Sequence, residues 1–316
     1  MNYFELGNTG LRVSELCFGA LPLGPLQANL SIEEGGSLIL QALQQGVNFI
    51  DSAEIYGTHQ HIKWALDRYQ GEVVLATKSP ALTYEQMQQS VAKCLEELGV
   101  DSIAIFHLHA ARDSKPLQNR AGVLEALVEL KAAGLIKNIG VSTHSVTAVR
   151  EAAQDPRVDV VFPLVNKRGL GILDGSLDEM IAAISLARCN GKGVYAMKAF
   201  GGGTMIDDLE GNLKFVREAA GIPVVAVGMI RDVELEMNLK LFEGAPISAE
   251  LRTKAGGYRK VAKVIVGLCK GCGRCLQGCH SGAIRMVDGK GFIDVNQCLM
   301  CGYCSRECPE FAIRVI

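Results

Sequence analysis

From residue 16 to residue 243 short apolar runs alternate with longer stretches in which apolar residues recur at helical spacing. The runs LCFGA, VNFIDS, VVLATK, IAIFHLH, IKNIGVS, VDVVFP, GVYAMK and VVAVG predict eight strands. SIEEGGSLILQALQQ, TYEQMQQSVAKCLEELG and SLDEMIAAISLARCNG, which lie between them, predict amphipathic helices. Ser31 and Thr83 stand at N-cap positions, and Glu34 completes a capping-box pattern with Ser31. The third helix follows Asp174 and ends towards Gly191. Eight strand–helix repeats in about 250 residues match a (β/α)8 barrel in count and size. A doubly wound sheet is the alternative, but no G-x-G-x-x-G follows the first strand, and Gly169, Gly171 and Gly175 have the wrong spacing.

Composition adds exclusions. The chain has 316 residues, 48% hydrophobic and 21% charged, with a formal net charge of −2. It carries no overall signature of nucleic-acid or membrane binding. MNYFELGNTGLRVSEL lacks the basic and apolar regions of a signal peptide. No apolar run approaches the roughly 18 residues of a membrane span. A cytoplasmic address is expected. Of eleven cysteines, eight fall between Cys269 and Cys308, whereas Cys17, Cys94 and Cys189 sit in apolar surroundings and are expected to be buried small hydrophobes.

In a (β/α)8 barrel the C-terminal ends of the strands face the active site. Asp51, Lys78, His109 and Ser142 end the second to fifth strands, and Tyr56 follows Asp51 in the next loop. Singly each has a plain explanation: a helix cap, a solvated lysine, a structural histidine. Together they converge on one mouth. A tyrosine hydroxyl, with an ordinary pKa of about 10, is a poor acid at neutral pH unless a neighbouring cation lowers that value. Lys78 is the candidate cation, Asp51 would hold it in place, and His109 would orient a carbonyl oxygen. Such a set hands a proton to an oxygen while a hydride reaches the adjacent carbon. Downstream, Gly201 to Gly203 and Gly228 suit either simple turning or close backbone approach to a pyrophosphate, and Lys198 either neutralises phosphate or merely ends a strand.

These residues resemble the aldo-keto reductases. The resemblance runs from ELGNTGLRVSEL through GVNFIDSAEIYG, the lysine of LATK, the histidine of DSIAIFHLH, IGVS and the late IPVVAVGM…N segment, about three quarters of the chain. It implies a barrel that binds NADP(H), with NAD(H) as the alternative, and an Asp51–Tyr56–Lys78–His109 tetrad with Tyr56 as general acid. It also implies a cofactor seat of Ser142, Met197, Lys198, Gly201, Gly228, Arg231 and Asn238. That seat departs from the family. Thr143 replaces an asparagine, Phe162 a glutamine and Met197 an aromatic that stacks on the nicotinamide, while Glu234 falls where an arginine often meets a 2′-phosphate.

Cys269, Cys272, Cys275 and Cys279 read C-x2-C-x2-C-x3-C, and the spacing recurs 29 residues later at Cys298, Cys301, Cys304 and Cys308. The repeat extends to Ala283-Ile284-Arg285 and Ala312-Ile313-Arg314. Zinc is the alternative, but structural zinc sites use two separated pairs rather than three cysteines at successive short spacings. The segment resembles the bacterial two-cluster ferredoxins, with His280 in place of a proline. The resemblance implies two [4Fe–4S] clusters with crossed ligation, Cys269, Cys272, Cys275 and Cys308 on one and Cys298, Cys301, Cys304 and Cys279 on the other. The expected organisation is a barrel over 1–246, a basic linker over 247–263 and a small α+β ferredoxin-like domain over 264–316.

Arg252, Lys254, Arg259, Lys260, Lys263, Lys270, Arg274 and Arg285 occur between Leu251 and Val287 without an acidic residue. They either compensate the clusters' charge or form a docking surface for an acidic ferredoxin or flavodoxin. Two functional expectations follow. One is an NAD(P)-dependent oxidoreductase acting on a small carbonyl or alcohol, with an attached electron-transfer module. The other is an iron–sulfur electron-transfer or docking protein in which the barrel is a scaffold. A hydride is a two-electron unit and a cluster moves one electron, and no flavin site that would join them is visible.

Overall fold

The computed structural model describes residues 1–109, 111, 115–256, 261–310 and 312–315. An antiparallel hairpin of β1 (Tyr3–Glu5) and β2 (Arg12–Ser14) comes first and was not anticipated. It covers the end of the barrel from which the strands start: the Ser14 amide donates to Asn48 Oδ1, and Leu6 and Val13 pack against Cys17, Phe49, Ile105 and Tyr195 in the barrel interior.

Strands and helices then alternate: β3 (Leu16–Gly19), α1 (Ile32–Gln44), β4 (Phe49–Asp51), α2 (His59–Leu66), β5 (Val74–Ser79), α3 (Tyr84–Leu98), β6 (Ile103–His109), α4 (Pro116–Asn119), α5 (Ala121–Ala132), β7 (Ile136–Thr143), α6 (Val146–Gln154) and β8 (Val160–Pro163). The series continues with α7 (Leu177–Cys189), β9 (Gly193–Val194), α8 (Leu209–Glu218), β10 (Val225–Gly228), α9 (Asp232–Glu243) and α10 (Ala249–Gly256). Parallel pairing runs in the order β10-β3-β4-β5-β6-β7-β8-β9, and a bridge from Ala196 to Val225 closes the ring. All eight predicted strands are present. GVYAMK is the most abbreviated, since only Gly193 and Val194 form a strand and Lys198 turns out of extended geometry at φ +61°.

The helix starts follow their local chemistry. Ser31 and Glu34 form both bonds of a capping box on α1, and Thr83 caps α3. The third predicted helix is capped by Ser176 with Glu179, and the Asp174 carboxylate ahead of it accepts from Ser145, Val146 and Thr147 at the start of α6. Cys17 and Cys94 are buried as expected, but Cys189 is exposed because it closes α7 on the solvent side.

The stretch expected as a linker carries α10, whose Leu251 and Ala255 are buried beside α9. Beyond it, β11 (Ala262–Val264) pairs antiparallel with β14 (Ile313–Val315). Between these strands lie α11 (Arg274–Gly278), the hairpin of β12 (Ile284–Val287) and β13 (Lys290–Ile293), and α12 (Tyr303–Arg306). This unit has its own small core of Ala262, Ala283, Ile284, Ile293 and Ile313 around Cys275, Cys298 and Cys304.

The unit sits on the catalytic end of the barrel at backbone distance. A methyl built on Gly202, just beyond the end of the β9 region, would stand 2.0 Å from the Leu299 carbonyl oxygen. One on Gly302 would stand 2.3 Å from the Leu26 carbonyl oxygen. Both glycines have positive φ, +69° and +80°, so conformation and space exclude a side chain together. Gly202→Ala is therefore expected to loosen the seam while leaving the barrel folded. Limited proteolysis should cleave between α10 and β11 faster than in the parent, with far-ultraviolet circular dichroism unchanged; equal cleavage rates would show that the seam tolerates the methyl.

Candidate active site and cysteine clusters

The polar residues at the strand ends meet on the barrel axis. Asp51 and Lys78 are 4% and 1% exposed. Lys78 Nζ lies 2.6 Å from Asp51 Oδ1 and also donates to the Ser52 carbonyl. The other carboxylate oxygen accepts from Tyr195 Oη at 2.9 Å, and Tyr195 Oη lies 2.7 Å from His107 Nε2. Burial pushes Asp51 up and Lys78 down, and each charge offsets the other's penalty. Tyr195 and His107 belong to this network although no sequence motif singled them out. They occupy interior positions of a barrel strand region, where an aromatic ring reads as core.

Tyr56 stands in a short 3-10 turn after β4, its ring centroid 5.2 Å from the Lys78 ammonium. The net shift of its pKa is upward despite the nearby ammonium. Burial, then Tyr303 and Asp51, push the phenol well above its ordinary value, so Tyr56 is held protonated. His109 ends β6, and burial, then Lys78, push it well below its ordinary value, so the imidazole is neutral. Its Nδ1 has no hydrogen-bond partner among the described residues.

A cavity of about 440 Å³ opens from these groups across the barrel mouth. Of the residues suggested for a cofactor seat, Ser142, Met197, Lys198, Gly228 and Asn238 line it. Gly201 and Arg231 do not. Gly201 is buried in the turn before Gly202, and the Arg231 guanidinium is committed to Glu234 and the carbonyls of Lys254 and Ala255. The Thr143 hydroxyl is likewise spent on the Ala111 carbonyl, and the Phe162 ring stacks on Tyr195 with centroids 3.9 Å apart. Arg252, counted from sequence only as part of a basic stretch, reaches the far wall of the cavity and pairs with Glu210.

The cysteine-rich unit supplies the opposite wall through His280, Met300 and Tyr303. Tyr303 Oη lies 3.1 Å from Tyr56 Oη and 3.4 Å from His109 Nε2. Lys198 and Met300, both non-glycine residues in left-handed conformation at φ +61° and +49°, face this shared space. Such strain collects where surrounding structure over-determines the backbone. Burial pushes Lys198 down, while Cys301, Cys298 and Asp51 favour its charged form.

The eight clustered cysteines fall into two groups. Cys269, Cys272, Cys275 and Cys308 line one small cavity. The amides of Gly291 and Ala312 donate to the sulfurs of Cys269 and Cys308 at 3.4 and 3.3 Å, an arrangement suited to thiolates. In the second group burial, then Cys301 and Cys279, push Cys304 up, and the Met300 amide donates to Cys298 Sγ at 3.4 Å. Among the described residues no three His, Cys, Asp or Glu side chains converge on one point as a single ion requires. The cavity ringed by Cys269, Cys272, Cys275 and Cys308, with backbone amides donating to two of the sulfurs, is the kind of site a thiolate-ligated cluster uses. Arg259 and Lys260 lie outside the described residues. Lys263, Lys270, Arg274 and Arg285 are exposed.

A closed eight-stranded parallel barrel with a buried Asp–Lys pair and a Tyr–His pair at its C-terminal mouth defines the class. The chain belongs to the aldo/keto reductase family, whose model matches residues 15–231. A 4Fe-4S dicluster domain matches residues 263–309. Curated relatives include the L-galactose dehydrogenase of Arabidopsis thaliana, 26% identical over 202 residues, 54% of this chain and 63% of that one. The pyridoxine 4-dehydrogenase of Escherichia coli is 29% identical over 175 residues, 48% and 59%. The match thus spans less than two thirds of either relative. A Bacillus halodurans aldo-keto reductase in its holo form superposes with a TM-score of 0.64 at 20% identity, covering 81% of this chain and 96% of that one, a likeness of fold. No helix among the described residues is long and apolar enough to cross a membrane.

Lys78→Met should leave the Asp51 carboxylate buried without its cation and destabilise the barrel by about 3–5 kcal/mol. Denaturant unfolding followed through Trp64 measures this, Trp64 being the single tryptophan of the chain. Lys78→Met/Asp51→Asn should recover part of the loss; a single variant as stable as the parent would show that the pair contributes nothing.

Proposed function

We propose that the protein is an NAD(P)-dependent oxidoreductase that interconverts a carbonyl and an alcohol, with Tyr56 as general acid, and that it carries an attached iron–sulfur electron-transfer module. The observation that supports this reading is the meeting of a protonated Tyr56, a neutral His109 and the Lys78–Asp51 pair at the wall of one large cavity. When bound, the nicotinamide supplies or accepts the hydride. Tyr56 Oη and His109 Nε2 hold the carbonyl oxygen between them, and Tyr56 gives it a proton. Lys78 stabilises the phenolate left behind, and Asp51 keeps Lys78 charged and in place. Ser142 and Met197 face the nicotinamide part of the seat and Lys198 and Gly228 the phosphates, with Asn238 further along the cavity on α9; Gly201 and Arg231 stand outside it. NADP(H) is the proposed cofactor, with NAD(H) as the alternative.

Cys269, Cys272, Cys275 and Cys308 are assigned to one [4Fe–4S] cluster and Cys279, Cys298, Cys301 and Cys304 to the other. When loaded, the clusters pass single electrons. The exposed Lys263, Lys270, Arg274 and Arg285 offer a basic face to an acidic ferredoxin or flavodoxin. A cytoplasmic address accompanies this reading, because thiolate ligands persist in a reducing compartment. One observation favours the second reading, a docking or electron-transfer protein with the barrel as scaffold: the Tyr303 hydroxyl already lies within reach of both Tyr56 and His109.

Anaerobic assays with 4-nitrobenzaldehyde decide between the two. Tyr56→Phe should lower kcat by about a hundredfold or more, with the Kd for NADPH essentially unchanged and below that for NADH. A parent protein that binds neither nucleotide and reduces no carbonyl would sink the first reading in favour of the second. The ligand sets are tested by iron analysis of double variants. Cys308→Ser/Cys272→Ser should lose no more iron than Cys308→Ser alone, whereas Cys308→Ser/Cys301→Ser should lose both clusters. The reverse pattern would exclude crossed ligation.

A further inference from the structure

Tyr303 is carried by the cysteine-rich unit, yet its hydroxyl lies inside the barrel's catalytic site. It stands 3.1 Å from Tyr56 Oη and 3.4 Å from His109 Nε2. Those two atoms are the ones that must converge on a carbonyl oxygen for proton transfer, and hydrogen-bond reach defines where that oxygen can sit. The Tyr303 oxygen occupies that neighbourhood. Its placement is not that of a loose loop side chain. The Tyr303 ring lies near-parallel to the Tyr56 ring, centroids 6.4 Å apart, and packs on His280 at 4.7 Å; His280 in turn meets His144 of the barrel edge-on at 6.0 Å. The backbone on its N-terminal side is pinned at Gly302 against Leu26, and Leu299 against Gly202. Cys301 and Cys304 bracket it in sequence.

A carbonyl substrate therefore has to displace the Tyr303 hydroxyl from both partners. Tyr303 is half-buried in a wall of aromatic and imidazole rings. A plain aldehyde or ketone offers it no new partner, so the bonds it gives up are not replaced. A substrate with a hydroxyl on the carbon next to the carbonyl restores that bond. Resting on the carbonyl-reductase reading above, we propose that Tyr303 is the specificity-determining residue of the site and that it selects α-hydroxycarbonyl compounds over plain carbonyls of the same size.

Glycolaldehyde and propionaldehyde differ by a hydroxyl in place of a methyl, and they are the probes. With the cluster-loaded protein and NADPH under anaerobic conditions, kcat/KM should favour glycolaldehyde by about tenfold, the range expected of a single restored hydrogen bond in a buried setting. Tyr303→Phe keeps the ring and removes the hydroxyl. It should bring the ratio close to one, mainly by lowering KM for propionaldehyde, with kcat for that aldehyde retained. A ratio unchanged by Tyr303→Phe, or kcat lost equally for both aldehydes, would overturn the proposal.

A second measurement does not depend on turnover. Diethylpyrocarbonate modification of His109, read by peptide mass, should be slow in the parent and several-fold faster in Tyr303→Ala, because the hydroxyl that covers Nε2 is gone. If no variant reduces either aldehyde but His109 becomes reactive, the carbonyl-reductase reading fails while the placement of Tyr303 stands. If aldehydes are reduced and His109 reactivity is the same in both proteins, Tyr303 does not occupy the site and its proposed role falls.

Discussion

The ion pair of Lys78 with Asp51 organises the centre of this molecule. Two charges at 4% exposure or less lie on the axis of a barrel otherwise filled by Cys17, Phe49, Ile105 and Tyr195. They persist there because each has a further partner: the Ser52 carbonyl takes a second Lys78 proton, and Tyr195 donates to the second Asp51 oxygen. Hydrophobic replacements of similar volume are often neutral or stabilising at such sites, so stability alone does not explain the pair. What it does is fix a cation 5.2 Å from the Tyr56 ring, at a position set by β-strand geometry rather than by a loop.

The second constraint is the seam. Glycines at 202 and 302 bring two backbones within contact, and the cysteine-rich unit thereby becomes a wall of the barrel's cavity rather than a tethered passenger. The question posed by two-electron and one-electron chemistry in one chain acquires a spatial form. Cys298 and Cys301 are the cysteines near the mouth, where Lys198 feels both and Tyr56 feels Cys301, whereas the cavity lined by Cys269, Cys272, Cys275 and Cys308 includes no residue of the barrel.

Much of this was legible in the sequence because it rests on local patterns. Strand–helix alternation, the Ser31 and Thr83 caps and the recurring cysteine spacing are each encoded within a dozen residues or so. The positions of Asp51, Lys78 and His109 at strand ends follow once the strands are found. Three things were not legible. The pKa direction of Tyr56 depends on burial and then on Tyr303, more than 200 positions away, and the spacing around Tyr56 carries no trace of either. The commitment of Arg231 to Glu234 and two carbonyls depends on where α10 lands. Tyr303 sits between two expected cluster ligands, where attention goes to the cysteines and an aromatic reads as packing. Only the docked arrangement shows which cavity it faces.

That arrangement couples the two halves even if no electron passes between them. The cysteine-rich unit has a core of a few small side chains around its thiols, and a unit of this size seldom holds itself folded without metal. Cys301 and Cys304 flank Tyr303, so under the proposed ligation the geometry a cluster imposes on the backbone would pass directly to a hydroxyl beside Tyr56 and His109. Catalytic groups tolerate displacements well under 1 Å before rate is lost. Under the proposed function, a barrel that borrows a wall from a cluster-bearing domain has a site whose shape depends on metal content, and the clusters would bear on its chemistry first through position.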